Sequence, residues 1–351
     1  MRGLKVLPVA LVALFVSASH MYAQRPPTLS ERSLPISLFE RYLESLRQQA
    51  GVPGLSAAIL QNDRLVWDRG FGYQDVDSLI SATADTPYPL LDLSQALAAT
   101  VLLQQCFDLR SLELGDRVRR WYSRFSEEGT TVAQLLAHSG PDGFRYDTAR
   151  YGSVGALIEE CAGAPYPLLL SREVFDRLGM ADSVPGHDLA ESSAANRRYF
   201  SQRTLDRYAA VLGRVAVPYR VDSRGRPSRS DYPRPSLSAS TGAVSTVRDL
   251  ARFDAAIGVL LESGTRDRAW QGGSGPMGLG WFVQQYNGQR IVWHYGLARD
   301  TYSALYITVP GRNLTLIMLA NSDGLAAPYR LSEGNLTSSV FAQLFLQLFV
   351  S

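Results

Sequence analysis

Residues 85–97 read DTPYPLLDLSQAL and lead into a predicted helix, whose apolar residues recur at helical spacing over 93–107. Asp92 stands where this helix begins, and Gln95 follows three residues later. An acidic residue followed by Gln at this distance is typical of a capping box. We therefore predict that Asp92 caps the helix and that Gln95 reaches back to the backbone N–H of Asp92.

Helix and strand patterns extend outward from this stretch on both sides. Apolar residues at helical spacing predict helices at 36–50, 131–138, 150–162, 166–178, 246–261 and 340–350. Runs rich in strand-forming residues predict strands at 55–60, 64–73, 280–285, 290–294, 302–309 and 314–320. The first two strands flank the turn residues Gln61, Asn62 and Asp63, which predicts a hairpin.

Strands at both ends of the chain with helices between them predict one composite α/β (α+β) unit. Residues 30–85 and 237–351 would share a mostly antiparallel sheet flanked by helices. Residues 86–236 would form an inserted, mostly helical part beside it. Residues 218–236 are rich in Arg, Pro, Ser and Asp without periodicity, which predicts an irregular surface crossing.

The composition of the 351 residues is that of a globular protein, with 46% hydrophobic and 10% aromatic residues. The formal net charge is +2. So small a charge gives no electrostatic reason to expect nucleic acid or an acidic membrane as partner. Two cysteines and four histidines without metal-ligand spacing predict neither a metal site nor a cofactor.

The first 23 residues have the layout of a secretory signal peptide. Arg2 and Lys5 precede an apolar run at 7–18, and cleavage would follow Ala18 or Ala23. We therefore expect an exported, periplasmic or extracellular protein, with an uncleaved N-terminal anchor as the alternative.

Residues 24–351 would then be the mature chain, a single domain with no stable membrane span. Lys5 is the only lysine of the sequence, so this mature chain would contain none. Cys106 and Cys161 both fall in predicted helices. They would form a disulfide in an exported protein or remain small buried residues, and the sequence leaves both open.

Several short motifs, in order, give the chain a family resemblance. Residues 135–140 read LLAHSG, close to the LLTHTSG of serine β-lactamases and penicillin-binding-protein-like hydrolases, and 294–296 read HYG where relatives have KTG or HxG. Further matching stretches lie at 52–56, 85–89, 144–146, 178–180 and 319–324. The chain resembles the class C and esterase-like branch of this family, and the resemblance implies a β-lactamase/transpeptidase-like fold.

The resemblance breaks at the catalytic SxxK motif of the family. Asp92 stands at the position of the nucleophilic Ser, and Gln95 stands at that of the Lys. A serine hydroxyl needs a nearby base to become a nucleophile, and neither Asp92 nor Gln95 supplies that pair. Ser94 does not rescue the motif because Leu97, not Lys, lies three residues beyond it. Arg cannot replace the lysine as a base because it stays protonated.

Other positions of the implied site are partly kept. Tyr146 and Thr148 lie where relatives have YxN, and Tyr146 is either a hydrogen-bonding or a packed residue. His294 and Gly296 occupy the HxG position, and the backbone N–H of Leu297, on an expected edge strand, would supply half of an oxyanion hole. His294 is a candidate ligand contact or a packed strand residue. His138 is expected to be structural, and His187 has no partner at metal spacing.

These substitutions predict a secreted pseudoenzyme that binds a peptide, a cell-wall fragment or a partner protein in its relict cleft. The alternative is an active hydrolase (an esterase, peptidase or β-lactamase-like enzyme) that uses Ser94, or water activated by Asp92. A third alternative is an interaction protein whose cleft is filled by side chains.

Overall fold

The computed structural model describes residues 34–110, 112–190, 193–232, 238–273 and 275–350. The helices are α1 (Leu34–Gln49), α2 (Ser94–Leu102), α3 (Val118–Trp121), α4 (Val132–Leu136), α5 (Thr148–Tyr151), α6 (Ser153–Ala162), α7 (Tyr166–Leu169), α8 (Ala194–Tyr199), α9 (Gln202–Leu212), α10 (Val247–Leu260), α11 (Ser263–Ala269) and α12 (Val340–Phe349). The strands are β1 (Gly54–Gln61), β2 (Arg64–Asp75), β3 (Ile80–Ser81), β4 (Tyr88–Pro89), β5 (Ser139–Gly140), β6 (Gly143–Phe144), β7 (Tyr219–Val221), β8 (Pro227–Arg229), β9 (Val244–Ser245), β10 (Phe282–Tyr286), β11 (Gln289–Ala298), β12 (Tyr302–Val309) and β13 (Leu314–Ala320).

Seven strands form one antiparallel sheet in the order β10-β11-β12-β13-β1-β2-β3. The early strand β1 pairs with the late strand β13, with Leu55 opposite Ala320 and Gln61 opposite Leu314. The prediction that the two ends of the chain share one antiparallel sheet is therefore confirmed.

Both faces of this sheet are covered, because alternate residues of its central strands enter different cores. Leu55, Ala57 and Ile59 of β1 pack with α1 and α12. Ala58 and Leu60 of the same strand pack with α2, α10 and the helical part of the chain. This alternation follows from the two-residue period of a strand, and it makes three layers with the sheet in the middle.

Helix α2 lies at the centre of the helical side, and all nine of its residues are buried. It continues as a π-helical segment, Leu103–Asp108, which contains Cys106. Cys106 is joined to Cys161 of α6, so of the two alternatives left open by the sequence the structure has the disulfide. None of the described helices combines the length and hydropathy of a membrane span. The expected signal peptide lies outside the described residues and stays a prediction.

The predicted irregular crossing at 218–236 is partly wrong. β7 and β8 pair as a short hairpin, with Tyr219 opposite Arg229. Asp222 accepts hydrogen bonds from the backbone N–H groups of Arg224 and Arg226, and Gly225 supplies a φ of 74°. An Asp side chain that binds nearby backbone and a Gly in the left-handed region together make this tight turn. The sequence analysis also did not predict helices α3, α8, α9 and α11.

Gly296 of β11 sets how closely the sheet approaches the entry to α2. A Cβ atom at Gly296 would lie 2.2 Å from the carbonyl oxygen of Leu90 and 3.1 Å from the Cβ of Leu91. Real Cβ atoms do not approach a backbone oxygen that closely. Strand β11 can therefore lie against the turn before α2 only because residue 296 has no side chain.

Removing the disulfide is expected to destabilise the fold. It closes a loop across 55 residues of sequence, and such a crosslink contributes about 2–4 kcal/mol. We expect the Cys106→Ala/Cys161→Ala variant to lose about that free energy of unfolding in a denaturant titration. Reduction should destabilise the wild type by a similar amount and leave the double variant unchanged. Equal stability of wild type and double variant would contradict the prediction.

Gly296→Ala is expected to reduce the free energy of unfolding by about 1–3 kcal/mol or more, as for other insertions into a packed interior. The matched control is Gly115→Ala, because an added Cβ there meets no atom within 4 Å. That change should stay within about 0.5 kcal/mol of the wild type. Thermal or urea unfolding of both variants measures the difference, and equal effects would show that β11 can move away from the turn.

Candidate functional site

The chain enters α2 through a 3-10 turn, Leu91–Leu93, which places Asp92 beside β11. Leu91 has a φ of 55°, in the left-handed region that leucine rarely adopts. No side chain caps the turn or the helix that follows. The predicted capping box of Asp92 and Gln95 is therefore wrong, since both side chains hydrogen-bond to distant parts of the chain instead.

The carboxylate of Asp92 is almost fully buried, with 6% of the residue exposed. Its Oδ1 accepts a hydrogen bond of 2.5 Å from the hydroxyl of Thr148, the first residue of α5. Its Oδ2 accepts one of 3.2 Å from the backbone N–H of Leu297. Burial raises the pKa of Asp92, and the hydrogen bonds from Thr148 and Leu297 oppose that rise.

Leu297 can donate to Asp92 because of its place on β11. Strand β10 pairs with β11 only at 289–293, so the outer edge of β11 beyond Trp293 is not paired with β10. The expectation of an edge strand is thus wrong for β11 as a whole, which lies between β10 and β12. It holds locally at Leu297, whose N–H points at the carboxylate rather than at another strand.

Gln95 is bound to His138, and one hydrogen-bond chain fixes the tautomer of the His138 ring. His138 Nδ1 accepts the backbone N–H of Asp147 at 2.9 Å, so the proton of the neutral ring must lie on Nε2. That Nε2–H donates to the Gln95 Oε1 at 2.8 Å. Burial lowers the pKa of His138 to about 3, which keeps the ring neutral. His138 is structural, as expected, and it also orients the residue in the lysine position.

Three tyrosine rings lie beside this pair, and two of them stack on His138. His138 lies between Tyr146, at a centroid distance of 4.4 Å, and Tyr151, at 4.9 Å. Tyr146 also faces Tyr295 at 5.6 Å. Burial, and then the charge of Asp92, raise the pKa of Tyr146 well above its usual range. Tyr146 is therefore a packed, protonated phenol close to the carboxylate.

His294 lies on β11 and is fully buried. Its Nδ1 is within hydrogen-bond distance of both the N–H and the carbonyl oxygen of Tyr295, at 2.9 and 2.8 Å. Burial lowers the pKa of His294 to about 4, so the ring is neutral at physiological pH. The ring also meets Phe282 edge to face at 5.6 Å. The structure thus places His294 beneath the surface, as part of the packing of β11.

We call the residues around this carboxylate the Asp92 cluster, and it comprises Asp92, Gln95, His138, Tyr146, Thr148, His294 and Leu297. Three buried atoms of the cluster have no hydrogen-bond partner within the described part of the chain: Gln95 Nε2, the Tyr146 hydroxyl and His294 Nε2. An unsatisfied buried polar atom costs about 1–3 kcal/mol and is uncommon in native proteins. Buried atoms of Tyr166, Trp270 and Ser322 are unpartnered in the same way, so what distinguishes the cluster is that three such atoms lie around one buried carboxylate.

Ser94, the other candidate nucleophile, points away from the cluster. It is fully buried, and its Oγ accepts the backbone N–H of Ala243 at 3.1 Å. This hydrogen bond ties α2 to the segment before β9. Ser94 therefore has a structural contact in place of an accessible hydroxyl.

Two cavities of the described surface have the volume of a small-molecule site, and a residue of the cluster lines the first. One, of about 550 Å³, is lined by His138 and by the β5–β6 hairpin, with Arg150 and Glu127 at its wall. The other, of about 710 Å³, is lined by Asp75, Asp231, Tyr232 and Tyr302 among others, and we call it the Tyr232 cavity. Burial raises the pKa of Tyr232, and the charge of Asp92 adds to that rise. Asp92 itself lines neither cavity.

Sequence reasoning missed the roles of three aromatic residues and gave His138 too small a role. Tyr151 and Tyr232 lie in segments that carry no motif of their own, and Tyr295 lies inside HYG at 294–296 without any signal that it packs near Tyr146. LLAHSG was noted as a family stretch, but nothing in it shows that His138 binds Gln95, 43 residues earlier. Within the described residues, no group of three or more metal-ligating side chains comes together.

The protonation of His138 gives a pH prediction. Its pKa is about 3 in the folded protein and about 6.5 in an unfolded chain, so below pH 6.5 the unfolded state binds a proton that the folded state refuses. Stability from this group is full above pH 6.5 and is lost as the pH falls toward 3. The slope is at most about 1.4 kcal/mol per pH unit.

We expect the free energy of unfolding to fall more steeply between pH 6.5 and 4.5 in the wild type than in His138→Gln. His294, whose pKa is lowered in the same way, is present in both proteins and cancels. NMR of the imidazole nitrogens should also show Nε2–H and no titration from pH 8 to 5. Identical slopes, or a titrating His138, would contradict this assignment.

The sequence profile of the beta-lactamase family matches residues 39–336 of the chain. Among curated proteins, Protein flp of Staphylococcus aureus (strain N315) is 29% identical over 106 residues, which are 28% of this chain and 21% of that protein. Serine beta-lactamase-like protein LACTB, mitochondrial, of Mus musculus is 22% identical over 174 residues, or 47% of this chain and 31% of that protein. The chain matches only about a fifth to a third of the length of these relatives.

Solved structures show the same fold at low identity. The octameric penicillin-binding protein homologue from Pyrococcus abyssi has a TM-score of 0.70 and 19% identity, covering 89% of this chain and 77% of that one. A class C beta lactamase from Rhodobacter sphaeroides has a TM-score of 0.67 and 13% identity, covering 90% and 99%. With most of its length matched by the family profile, the chain belongs to the beta-lactamase family.

Proposed function

We propose that this protein is a catalytically inactive member of the family, which binds a ligand at the Asp92 cluster and does not turn it over. One observation carries the proposal: the carboxylate of Asp92 accepts the Leu297 N–H, the donor that the family resemblance assigns to the oxyanion hole. A carboxylate on that donor repels the oxyanion that acyl transfer must create.

The other groups near Asp92 do not supply a replacement for the missing serine and lysine. Position 92 has no hydroxyl to act as nucleophile, and residues 6–351 contain no lysine. The His138 Nε2 carries its proton toward Gln95 and so cannot accept another there. The raised pKa of Tyr146 keeps its phenol protonated at neutral pH. Among the described residues around Asp92, no pair of nucleophile and base is left.

The rival function is hydrolysis by water that Asp92 activates. The raised pKa of Asp92 favours such a base in principle. Its two oxygens, however, already accept from Thr148 and Leu297, and only 6% of the residue is exposed. A base must reach the water that it deprotonates, and the burial of Asp92 argues against that. Ser94 is not an available nucleophile either, because its buried hydroxyl accepts the backbone N–H of Ala243.

The volume of the Tyr232 cavity and a protein of similar fold together indicate the class of ligand. The Tyr232 cavity, of about 710 Å³, has the volume of a small-molecule or short-peptide site. A D-amino acid amidase from Ochrobactrum anthropi SV3, solved in complex with L-phenylalanine amide, shares the fold with a TM-score of 0.64 at 19% identity, covering 81% of this chain and 91% of that one. We propose a small amino-acid-derived or peptide ligand, encountered outside the cytoplasm, where a disulfide persists.

The near-complete burial of Asp92 also favours one other function, that of an interaction protein whose cleft is filled by its own side chains. In that case the three unpartnered atoms of the cluster would stay unsatisfied, and no small molecule would reach them. Ligand binding at Asp92 separates the two possibilities.

The test of inactivity is intact-mass spectrometry after incubation with a penicillin and with a fluorophosphonate. We expect no adduct on the wild type and an adduct on Asp92→Ser/Gln95→Lys. The double variant restores a hydroxyl and, three residues later on the same helical face, its base, while Leu297 remains as oxyanion donor. Gln95→Lys alone is the matched control and should stay unlabelled.

An adduct on the wild type would overturn the proposal, and the labelled residue would be the new nucleophile. If the double variant unfolds with the same cooperativity as the wild type and still forms no adduct, the cleft has lost the geometry of the family. Ester hydrolysis that disappears in Asp92→Asn while ligand binding survives would establish the rival function.

A further inference from the structure

Arg150 of α5 lies at the wall of the cavity beside the β5–β6 hairpin, which we call the hairpin cavity. Only 10% of its side chain is exposed. Its Nε donates to Glu127 Oε1 at 2.8 Å, and its Nη2 donates to Glu127 Oε2 at 2.9 Å and to the Ser139 carbonyl oxygen at 3.0 Å. These contacts use every N–H of Nε and Nη2.

The remaining nitrogen of this guanidinium, Nη1, donates to no atom in the part of the chain that the structure describes. It is not among the fully buried atoms without a partner, so it is accessible from the hairpin cavity that Arg150 lines. Glu127 and Ser139 already hold the guanidinium in place. A ligand oxygen that binds Nη1 therefore loses little free energy in ordering the arginine.

Two opposite charges of the same lining have no close partner. Arg145 is 78% exposed and lies 3.4 Å from Asp147. Asp142, at the tip of the hairpin, forms no side-chain hydrogen bond or ion pair with the described residues. Because Glu127 balances Arg150, the lining as a whole is close to neutral. A ligand with one negative and one positive end fits this distribution better than a singly charged one.

The hairpin separates the donor from the acceptor. Arg150 holds the carbonyl oxygen of Ser139 at the base of the hairpin, where Ser139 pairs with Phe144. The tip lies two residues beyond Ser139, about 7 Å along the strand. One amino acid spans at most about 3.5 Å and two span about 7 Å. The distance between the two groups therefore suits the two ends of a short peptide.

The cavity also has an apolar wall and open room. Pro141 and Phe144 line it, and the ring of Phe144 is held edge to face against Phe282 at 6.3 Å. A Cβ atom added at Gly140 or Gly143 would meet no atom within 4 Å. The volume of about 550 Å³ accommodates a small peptide with one aromatic side chain.

We infer that the hairpin cavity binds a short zwitterionic peptide, with its C-terminal carboxylate on Arg150 Nη1 and its N-terminal ammonium toward Asp142. An apolar side chain of the peptide lies against Phe144. The site uses neither the carboxylate of Asp92 nor the Tyr232 cavity. The inference therefore goes beyond the proposed function and does not rest on it.

Glycyl-phenylalanine is a suitable probe because it carries both charges and one apolar ring. Glycyl-phenylalanine amide lacks the carboxylate, and N-acetylglycyl-phenylalanine lacks the ammonium. In calorimetric titrations of the full chain at pH 7, we expect saturable binding of the dipeptide and at least tenfold weaker binding of the amide. The acetylated compound should bind about threefold more weakly, because an exposed partner such as Asp142 contributes less. Equal affinity for the dipeptide and its amide, which needs no variant, would overturn the inference, as would no binding at all.

Arg150→Lys should weaken dipeptide binding at least tenfold. Lysine keeps the charge and a bond to Glu127, but it has no second nitrogen to replace Nη1. Arg248→Lys is the matched control, because Arg248 is also held by carboxylates, those of Asp68 and Asp85, and lies outside the cavity lining. That change should alter the affinity less than twofold. Unchanged dipeptide binding by a folded Arg150→Lys protein would contradict the site.

Asp142→Asn tests the ammonium end at an exposed position where the fold is not at risk. It should weaken binding of glycyl-phenylalanine about threefold and leave the affinity for N-acetylglycyl-phenylalanine unchanged. An equal loss for both compounds, or no loss for either, would overturn the assignment of the ammonium to Asp142.

The inference and the proposed function fail in different ways. No dipeptide binding together with no penicillin adduct on the wild type would overturn the peptide site and leave the inactivity intact. An adduct on the wild type would overturn the inactivity whatever the dipeptide titration shows.

Discussion

The hydrogen bond from the Leu297 N–H to the Asp92 carboxylate joins the sheet to the entry of the central helix, where the two lie close together. It joins residues 205 positions apart, one at the entry to the central helix and one on the sheet. It forms only because Gly296 lets β11 lie against the turn before α2. Thr148 brings the helical part of the chain to the same carboxylate. Sheet, central helix and helical insert therefore meet on one side chain.

The Asp92 cluster is unusual in its electrostatics because it holds one acidic group and no base that can be charged. Burial keeps His138 and His294 neutral and the tyrosines protonated. Elsewhere the protein balances its acids, as where Arg248 bridges Asp68 and Asp85. Asp254 likewise lacks a cationic partner among the described residues, so the three unsatisfied polar atoms beside Asp92, rather than its charge alone, favour an external ligand there.

The sequence predicted the sheet and most helices, because strand alternation and helical periodicity are local signals that burial on two faces reinforces. The prediction failed at Asp92 and Gln95, because their spacing suits a capping box as well as it suits contacts with distant residues. The competing partners, Thr148 and His138, lie 56 and 43 residues away, and no local pattern reveals them. The β7–β8 hairpin was missed for a different reason: Asp222 and Gly225 are a readable turn signal, but the surrounding Arg and Pro residues hide the short strands.

The left-handed backbone at Leu91 sets the point at which the side chain of residue 92 leaves the turn. Leu90 and Leu91 lie against Gly296 of β11, and the hydrogen bonds of Asp92 to Thr148 and Leu297 follow directly after them. The side chain at position 92 therefore decides which group the Leu297 N–H meets. One amino-acid replacement at position 92 can therefore exchange a nucleophile for a charged carboxylate at the same place in the fold.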